Sequence, residues 1–375
     1  MLANRPPMGW NSWNTFGEKI DEKLIMETAD IIVEKGYKDK GYEYVIIDDC
    51  WALRERDKDG HLVPDPEKFP HGMKYLADYI HSKGLKFGMY SCAGILTCAG
   101  YPSSYGHEYE DAKTFAQWEI DYLKYDFCNF PKDGNGKNAY LTMSMALRSC
   151  GREILFAACN WGTDDPWFWM RSIGVHTYRS TGDIHDNFNS FRDIIFKQEN
   201  NFSMSAPGCY NDIDMLTVGM YGKGLVGMEE NVCTDDEYLM QFSSWCLYGA
   251  PLIMGGDIRK IDGYCKDLMQ NKELIAINQD PECRPPVILV AWEGIRVLLK
   301  IISDNEYVLA FYNYGDKKTK LTISFVDLGI PYYSGKGLDM YNIITGEKLG
   351  ILRDFYTTEL EKHTCKILKG KLVNV

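Results

Sequence analysis

The chain has 375 residues, 45% of them hydrophobic, so it is long enough to bury a large core and to carry an appended module. Its formal net charge of -12 argues against nucleic-acid binding, because attraction to phosphates requires a basic face. No apolar run approaches the roughly 18 residues needed to span a bilayer, and residues 1–8 hold no apolar signal-peptide core, so we expect a cytoplasmic protein without membrane contact.

Short apolar runs alternate with amphipathic stretches through most of the chain, which is typical of strands followed by helices. The pattern predicts eight strands, the seventh the weakest, at residues 8–13, 44–48, 86–91, 121–126, 154–159, 175–180, 205–210 and 252–255. It also predicts amphipathic helices at residues 21–35, 71–83, 112–118, 141–149, 188–198 and 235–248. This alternation, without a repeat of fixed period, favours an α/β fold of the (β/α)8 TIM-barrel type over a doubly wound sheet.

The sequence pattern changes after residue 281, where short alternating runs replace the strand–helix order. Turn signals rich in Gly, Asp and Asn separate these runs, which cover residues 288–292, 295–302, 307–314, 318–324 and 337–341. We therefore predict a catalytic barrel at residues 1–281 and a C-terminal antiparallel β-sandwich domain at residues 282–375. No low-complexity linker separates the two domains, so we expect them to pack closely.

Twelve cysteines are spread over the chain without regular spacing. They include no C-x-x-C pair and no His/Cys cluster with the spacing of metal ligands. We expect most of them to be buried thiols in a reducing compartment, and we expect neither a metal site nor a cofactor.

Carboxylates stand at the ends of two predicted strands. Asp126 ends the fourth strand, which Lys124 interrupts, and Asp48 and Asp49 end the second. A carboxylate at the end of a buried strand is costly to desolvate unless a partner or a reaction uses it. One explanation for Asp126 is an ion pair with Lys124 that braces the strand end, and the other is catalysis. The second acidic strand end favours catalysis, because a TIM barrel gathers its strand ends around one pocket.

The predicted strand ends combine carboxylates, cations, aromatic rings and an amide, at Trp13, Asp48, Asp49, Tyr90, Lys124, Asp126, Asn160, Arg179, Asp183 and Asp214. This set suits a sugar, because rings pack on its apolar face and charged groups hydrogen-bond its hydroxyls. Glycoside cleavage needs one ionised and one protonated carboxyl group. We expect Asp126 to stay ionised because the Lys124 cation lowers its pKa. Asp183, across the predicted mouth, is the candidate acid if its surroundings favour its protonated form.

The sequence resembles the glycoside hydrolase family 27 α-galactosidases, or melibiases, in stretches that run in order through the whole barrel, at residues 7–13, 47–51, 68–73, 88–91, 97–102, 122–126, 159–162, 211–215 and 275–281. The resemblance implies a (β/α)8 barrel with a C-terminal antiparallel domain. It also implies a retaining exo-α-galactosidase that releases terminal α-linked D-galactose from oligosaccharides or glycoconjugates, without a cofactor.

The resemblance assigns catalytic roles position by position. It makes Asp126 the nucleophile, which forms a covalent galactosyl-aspartate, and Asp183 the acid and base. It implies that Asp48, Asp49 and Lys124 hold the 4- and 6-hydroxyls of galactose.

Further positions match residues that surround the sugar in the family. Trp13 and Tyr90 match aromatic walls of the pocket. Arg179 and Asp214 match groups around the 2-hydroxyl and the acid, and Met215 matches a residue that lines the pocket.

Cys98 and Cys128 match a pair that forms a disulfide at the edge of the family's pocket. The cysteine that commonly partners the Cys50 position is missing, because residues 14–18 hold none. That absence fits a reducing compartment and leaves the redox state of the pair open. In either state we expect the two residues to lie within bonding reach, with Cα atoms less than about 7 Å apart.

Position 160 bears on two related activities. Asn160 stands where many family members carry Glu and others Asn, and an amide can bond a 2-hydroxyl. An α-N-acetylgalactosaminidase would need small residues at Asn160 and Thr163, and a β-L-arabinopyranosidase is disfavoured by the intact Asp48 and Asp49. A non-catalytic galactose-binding protein is a third alternative, which the presence of both candidate catalytic carboxylates disfavours.

Three tryptophans near the fifth strand have two interpretations. Trp161, Trp167 and Trp169 either extend the sugar platform or pack in the core. The natural aglycone is open, and assembly into a homo-oligomer is compatible with the sequence.

Overall fold

The computed structural model describes residues 2–228 and 231–375, and its central feature is a sheet of eight parallel strands. The strands are β1 (Met8–Asn11), β2 (Tyr44–Ile46), β3 (Lys86–Cys92), β4 (Tyr122–Asp126), β5 (Leu155–Cys159), β6 (Thr177–Arg179), β7 (Tyr210–Asp212) and β8 (Leu252–Met254). From β1 to β7 each strand pairs with the next strand in the chain, and β1 also pairs with β8.

The sheet closes into a barrel at Leu216, shortly after β7. The Leu216 N–H donates to the carbonyl of Ile253 at 2.8 Å, and the Leu216 carbonyl accepts from the Gly255 N–H at 2.9 Å. Leu216 is also bridged in parallel to Met254. The predicted parallel barrel is therefore confirmed, and the carboxyl ends of its strands meet at one mouth.

The α-helices of the described residues are α1 (Trp13–Phe16), α2 (Glu22–Glu34), α3 (Gly72–Ser82), α4 (Glu108–Gln117), α5 (Gly136–Ser149), α6 (Phe188–Gln198), α7 (Asp235–Tyr248), α8 (Gly263–Met269) and α9 (Lys272–Asn278). The six predicted helices correspond to α2 to α7, whereas α1, α8 and α9 were not predicted. Helix α5 begins earlier than its apolar pattern indicated, because Asn135 caps it by accepting from the Asn138 N–H. None of the helices in the described ranges has the length and apolar character needed to cross a bilayer.

Helix α7 differs from the amphipathic helix that we predicted, because residues 237–248 are all buried. The barrel covers one side, where the Trp245 indole N–H donates to the carbonyl of Asp214 at 2.8 Å. The C-terminal sheet covers the other, where Lys300 Nζ donates to the carbonyl of Leu247 at 2.8 Å. A helix between two packed layers has no face left for water, which explains why its apolar residues are not confined to one stripe.

The seventh strand lies later in the chain than predicted. Residues 205–210 contain a tight turn at Pro207 and Gly208, in which Ala206 and Cys209 exchange backbone hydrogen bonds of 3.0 and 2.9 Å. Strand β7 begins only at Tyr210. The turn reverses the chain immediately before the strand, so the apolar signal and the strand do not coincide.

The C-terminal part contains β9 (Val287–Trp292), β10 (Ile295–Ile302), β11 (Glu306–Asn313), β12 (Thr319–Ser324), β13 (Lys336–Asn342), β14 (Lys348–Leu352), β15 (Phe355–Leu360) and β16 (Thr364–Asn374). They form a six-stranded antiparallel sheet in the order β14-β13-β16-β11-β10-β9 and a two-stranded antiparallel sheet of β12 and β15. Apolar side chains join the two sheets, with the rings of Phe311 and Tyr356 5.7 Å apart. The last three strands were not predicted, and the domain boundary at residue 281 stays a prediction.

Candidate active site

A cavity of about 340 Å³ opens at the mouth of the barrel. All the site residues predicted from the sequence line it except Asn160, namely Trp13, Asp48, Asp49, Tyr90, Cys98, Lys124, Asp126, Cys128, Arg179, Asp183, Asp214 and Met215. Their positions follow from the fold, because each lies either within a strand of the barrel or in the segment that follows the carboxyl end of a strand. A cavity of this volume is in the range of small-molecule sites.

Asp48 is buried at the end of the second strand with both oxygens occupied. Its Oδ2 accepts hydrogen bonds from Asn11 Nδ2 and from Lys124 Nζ, both at 2.8 Å. Its Oδ1 accepts from the Asp49 N–H at 3.0 Å, and the Asp48 N–H donates to Ser12 Oγ at 3.0 Å. The carboxylate is therefore fixed in orientation before any ligand arrives.

Asp49 joins the end of the second strand to the loop after the third. Its Oδ1 accepts from the Cys50 N–H at 2.7 Å, and its Oδ2 accepts from the Ala99 N–H at 2.9 Å. Burial raises the pKa of Asp49, and these backbone hydrogen bonds offset only part of that effect. Asp49 therefore also holds the loop that carries Cys98 beside the cavity.

Lys124 lies closer to Asp48 than to Asp126, with Nζ 2.8 Å from Asp48 Oδ2 and 4.0 Å from Asp126 Oδ2. Burial raises the pKa of Asp126 to about 6, although Lys124 and the Phe127 N–H oppose the rise. Lys124 lowers this pKa as we expected, but desolvation outweighs the effect of a cation already paired with Asp48, so the net shift of the Asp126 pKa is upward. Asp126 is nevertheless mostly ionised at pH 7.

Arg179 organises the opposite side of the cavity from the end of the sixth strand. Its Nη2 donates to the Asp214 carboxylate, to Asp183 Oδ1 at 3.0 Å and to the Gly182 carbonyl at 3.0 Å. The Ile184 N–H donates to Asp214 Oδ2 at 2.8 Å. Burial raises the pKa of Asp214 to about 6, against the effect of Arg179. Asp214 therefore ties Arg179 and the segment around Asp183 to the barrel.

Asp183 is the exposed carboxylate of this cavity. Its side chain is 72% exposed, whereas Asp48, Asp126 and Asp214 are buried. The enclosed surroundings expected for an acid are therefore absent around Asp183 in this structure, where it contacts Arg179 at the rim.

Aromatic and apolar side chains form the remaining wall. The hydroxyl of the buried Tyr90 donates to Cys98 Sγ at 3.4 Å, and Lys124 Nζ lies 5.3 Å from the centroid of its ring. Trp13 begins α1, and its N–H donates to Asn11 Oδ1 at 2.8 Å. Asn11 thus bonds both Trp13 and Asp48, which couples an aromatic wall to a polar one.

Cys98 and Cys128 form a disulfide at the edge of the cavity, with Cα atoms 5.0 Å apart. The prediction that they lie within bonding reach is confirmed. Because Cys128 follows Asp126 by two residues, the bridge connects the end of β4 to the loop after β3.

Asn160 lies behind the cavity surface. Its Nδ2 donates to the Thr163 carbonyl at 2.6 Å, and its Oδ1 is buried without a partner among the described residues. Trp161 lines the cavity instead, with a backbone φ of 54° that is rare for a large residue. Trp167 and Trp169 pack against the core. The sugar contact expected for Asn160 stays a prediction, and it would require the side chain to turn.

Three further residues line the cavity but were not predicted as site residues: Asn14, Cys159 and Val226. Cys159 ends a predicted strand, so its position was available from the sequence although its side chain carries no distinctive chemistry. Val226 lies in the glycine-rich stretch 222–227, which has no periodic signal that would place it at the mouth.

Two groups of side chains bring possible metal-binding atoms together in the described residues. In the first, Cys98 and Cys128 bond each other and so are not available as thiolates beside Asp126. The second, Asp78, His81 and Glu119, lies outside the cavity and is engaged in ion pairs with neighbouring side chains. Neither group offers a free set of ligands.

A larger recess of about 550 Å³ lies near the amino ends of strands β5 and β6. Its charged lining consists of Arg148, Arg152 and Arg171, with Glu153 as its carboxylate. It lacks the pair of carboxyl groups that glycoside cleavage requires, so the smaller cavity at the carboxyl ends is the better candidate.

Comparison with known proteins shows which family the chain resembles over most of its length. Residues 5–280 match the protein family described as alpha galactosidase A. An alpha-galactosidase of Cyamopsis tetragonoloba is 41% identical over 98% of this chain and 86% of its own length. Alpha-galactosidase A of Cellvibrio japonicus is 44% identical over 84% of this chain and 77% of its own. The crystal structure of alpha-galactosidase I from Mortierella vinacea has a TM-score of 0.92 at 36% identity, covering 98% of this chain and 97% of that one.

Proposed function

The chain belongs to the alpha galactosidase A family, within glycoside hydrolase family 27, and from that premise we propose that it is a retaining exo-α-galactosidase. Membership makes it a glycoside hydrolase of the α-galactosidase class. The observation that carries the finer proposal is the presence of Asp126 and Asp183 in one cavity, one buried at a strand end and the other at the rim.

In the first step, Asp126 attacks the anomeric carbon of galactose. Its Oδ1 accepts from the Phe127 N–H at 2.9 Å, which leaves Oδ2 as the attacking oxygen. A bond forms between Oδ2 and the anomeric carbon while the bond from that carbon to the aglycone oxygen breaks. Asp183 donates its proton to the leaving oxygen and becomes a carboxylate, which the neighbouring Arg179 stabilises.

In the second step, water replaces the enzyme on the anomeric carbon. Asp183 takes a proton from the attacking water, the new bond forms from its oxygen, and the ester bond to Asp126 breaks. Two displacements on opposite faces return the sugar to its starting configuration, so the product is α-galactose. Both carboxyl groups finish in their starting protonation states.

Galactose would be held by the fixed polar wall at the second and fourth strands. Asp48, Asp49 and Lys124 are proposed to bond the 4- and 6-hydroxyls, and the oriented hydrogen bonds around Asp48 support this role. Trp13 and Tyr90 would pack on the apolar face of the ring. The wall would enclose the non-reducing end of the galactose unit and bind its hydroxyls. The aglycone can then extend only from the anomeric carbon, so the enzyme would cleave terminal galactose, which is exo cleavage.

The test is a side-by-side assay of three nitrophenyl glycosides: the α-galactoside, the α-N-acetylgalactosaminide and the β-L-arabinopyranoside. We expect the α-galactoside to have the highest kcat/KM. The first sugar released from it should be α-galactose, observed by NMR before mutarotation. Release of β-galactose first would contradict retention, and preference for another glycoside would contradict the proposed substrate.

A further inference from the structure

Asp186 is a fully buried carboxylate that follows Asp183 by three residues but does not line the cavity. The Tyr238 hydroxyl donates to it, at 2.9 Å from Oδ1 and 3.1 Å from Oδ2. The Gly222 N–H donates to Oδ2 at 2.7 Å. Asp186 therefore accepts hydrogen bonds at once from helix α7 and from the glycine-rich segment 222–227, which we call the 222–227 segment.

An ionised carboxylate at the position of Asp186 has a large desolvation cost. Burial raises the pKa of its carboxyl, and the hydrogen bonds from Gly222 and Tyr238 oppose that rise. No lysine, arginine or histidine within the described residues forms an ion pair with it. Its distinctive property is geometric, because one carboxylate joins two parts of the chain that are far apart in sequence.

The 222–227 segment connects Asp186 to the aromatic wall of the cavity. The Asp186 N–H donates to the Val226 carbonyl at 3.0 Å, and the Val226 N–H donates to the Asn14 carbonyl at 3.1 Å. The Leu225 N–H donates to the Thr15 carbonyl at 3.2 Å. Asn14 and Thr15 directly follow Trp13 in the chain, and both Asn14 and Val226 line the cavity. Backbone hydrogen bonds thus link the segment around Asp186, through the 222–227 segment, to the residues that follow Trp13.

Asp183 depends on its neighbours for its position. It lies in a stretch without regular secondary structure, and its exposed side chain makes its ion pair with Arg179 at the rim. The residues after it are better held, because the Ile184 N–H bonds the buried Asp214 and Asp186 bonds α7. The contacts that fix the backbone of residues 184–186 therefore determine the position of the Asp183 carboxyl.

We propose that Asp186 is a positioning residue for the acid and base Asp183, holding its segment against α7 and the 222–227 segment at the distance that proton transfer requires. The inference rests on the proposed function of Asp183. A general acid must come within hydrogen-bond reach of the leaving oxygen, and a misplacement of about 1 Å costs about a hundredfold in rate. Loss of the hydrogen bonds of Asp186 should therefore slow proton transfer by Asp183 more than attack by Asp126, which is held on the fourth strand.

The test compares kcat/KM for two α-galactosides, one with methanol and one with dinitrophenol as leaving group. Only the methyl glycoside needs protonation of its leaving oxygen. For Asp186→Ala, we expect the ratio of methyl to dinitrophenyl kcat/KM to fall by about tenfold or more. Asp186→Asn, which keeps one acceptor, should show a smaller fall, and so should Tyr238→Phe, which removes one donor.

Asp280→Ala is the matched control, because Asp280 is also a buried carboxylate that accepts from backbone N–H groups, those of Ser303 and Glu282, and it does not line the cavity. Its substrate ratio should stay within about twofold of the wild type. Equal losses on both substrates in the Asp186 variants, or the same ratio change in the control, overturn the proposal. If Asp186→Ala does not fold, Asp186→Asn and Tyr238→Phe decide by the same ratio.

The outcomes separate this inference from the proposed function. A wild-type protein that cleaves neither galactoside contradicts the proposed function itself. A wild-type protein that cleaves both, with Asp186 variants whose two substrates lose rate equally, contradicts only the positioning role.

Discussion

The ammonium of Lys124 is bonded to Asp48, 2.8 Å away across two strands, and lies 4.0 Å from Asp126 on its own strand. Burial opposes the charge of Lys124, yet the neighbouring carboxylates, Asp48 above all, raise its pKa well above the ordinary value. The Lys124 cation therefore interacts more strongly with Asp48, in the wall proposed to bind galactose, than with the proposed nucleophile Asp126. Because Lys124 pairs mainly with Asp48, it lowers the pKa of Asp126 less than it would if Asp126 were its only partner.

Lys124→Met should destabilise the protein and impair catalysis through Asp48. It leaves the Asp48 carboxylate buried without a cation, which costs about 3–5 kcal/mol of unfolding free energy. Adding Asp48→Asn removes the uncompensated charge and should restore part of that loss, measured by urea unfolding as a double-mutant cycle. Activity should not return, because both groups are proposed to bind the sugar. Stability losses that simply add would show that the two side chains are not coupled.

The pKa of Asp126 predicts the acid limb of the pH profile. Because kcat/KM reports the free enzyme and only ionised Asp126 can attack, it should fall about tenfold per pH unit once the pH is below about 6. The measurement is kcat/KM for an aryl α-galactoside from pH 4 to 8, after confirming by circular dichroism that the protein stays folded. A limb near pH 4, where an exposed carboxyl ionises, would show that burial does not govern Asp126.

Asp126→Asn should make the protein more stable at pH 8. In the folded protein the pKa of Asp126 is about 6, above its ordinary value of 3.8, so the protonated form is favoured by folding. That contribution is present below about pH 4 and is lost as the pH rises through 6. Asparagine imitates the protonated carboxyl and keeps an acceptor for the Phe127 N–H. We expect a gain of about 3 kcal/mol at pH 8, from a shift of about two units, and little gain at pH 4. An equal gain at both values would exclude ionisation as its cause.

The sequence indicated the chemistry of the site because its informative residues stand at strand ends. Asp48, Asp49 and Asp126 follow apolar runs, and a parallel barrel necessarily brings such ends together. The position of β7 was not readable, because the turn at Pro207 and Gly208 interrupts the apolar pattern just before the strand.

Other features depend on tertiary structure that the local pattern does not contain. The direction of the pKa shift of Asp126 follows from burial by neighbouring strands. The burial of α7 on all sides follows from docking of the C-terminal sheet. The withdrawal of Asn160 behind the cavity follows from the turn in which it bonds the Thr163 carbonyl.

Azide should distinguish the two catalytic carboxyls by the anomer that it produces. In Asp126→Ala, azide occupies the space of the missing carboxylate and attacks the face opposite the leaving group, which gives β-galactosyl azide. In Asp183→Ala, Asp126 still forms the β-linked intermediate, and azide displaces it to give α-galactosyl azide. An activated aryl galactoside supplies the substrate, and NMR identifies the products. α-Galactosyl azide from Asp126→Ala, or near wild-type activity without azide, would contradict the assignment.

The last prediction concerns the 2-position of the sugar. Cys159 ends the fifth strand opposite Arg179 at the end of the sixth, and Trp161 follows Cys159 by two residues, so Trp161 and Arg179 line the same cavity from adjacent strand ends. We expect the guanidinium to donate to the 2-hydroxyl and the indole to restrict the space for a larger 2-substituent such as an acetamido group. A site built for a hydroxyl rejects misfits strongly, so we expect α-galactosides to be cleaved about a hundredfold better than α-N-acetylgalactosaminides.

Trp161→Ala should narrow this preference more than Asn160→Ser does. The tryptophan side chain stands on the cavity surface, whereas Asn160 acts on the wall only through its bond to the Thr163 carbonyl. The measurement is kcat/KM of each variant on both nitrophenyl glycosides, with the ratio rather than the rate as the readout, so that a general loss of activity cancels. A larger change of the ratio in Asn160→Ser would mean that the asparagine turns into the cavity and meets the sugar directly, because an effect transmitted only through the Thr163 carbonyl should be the smaller one.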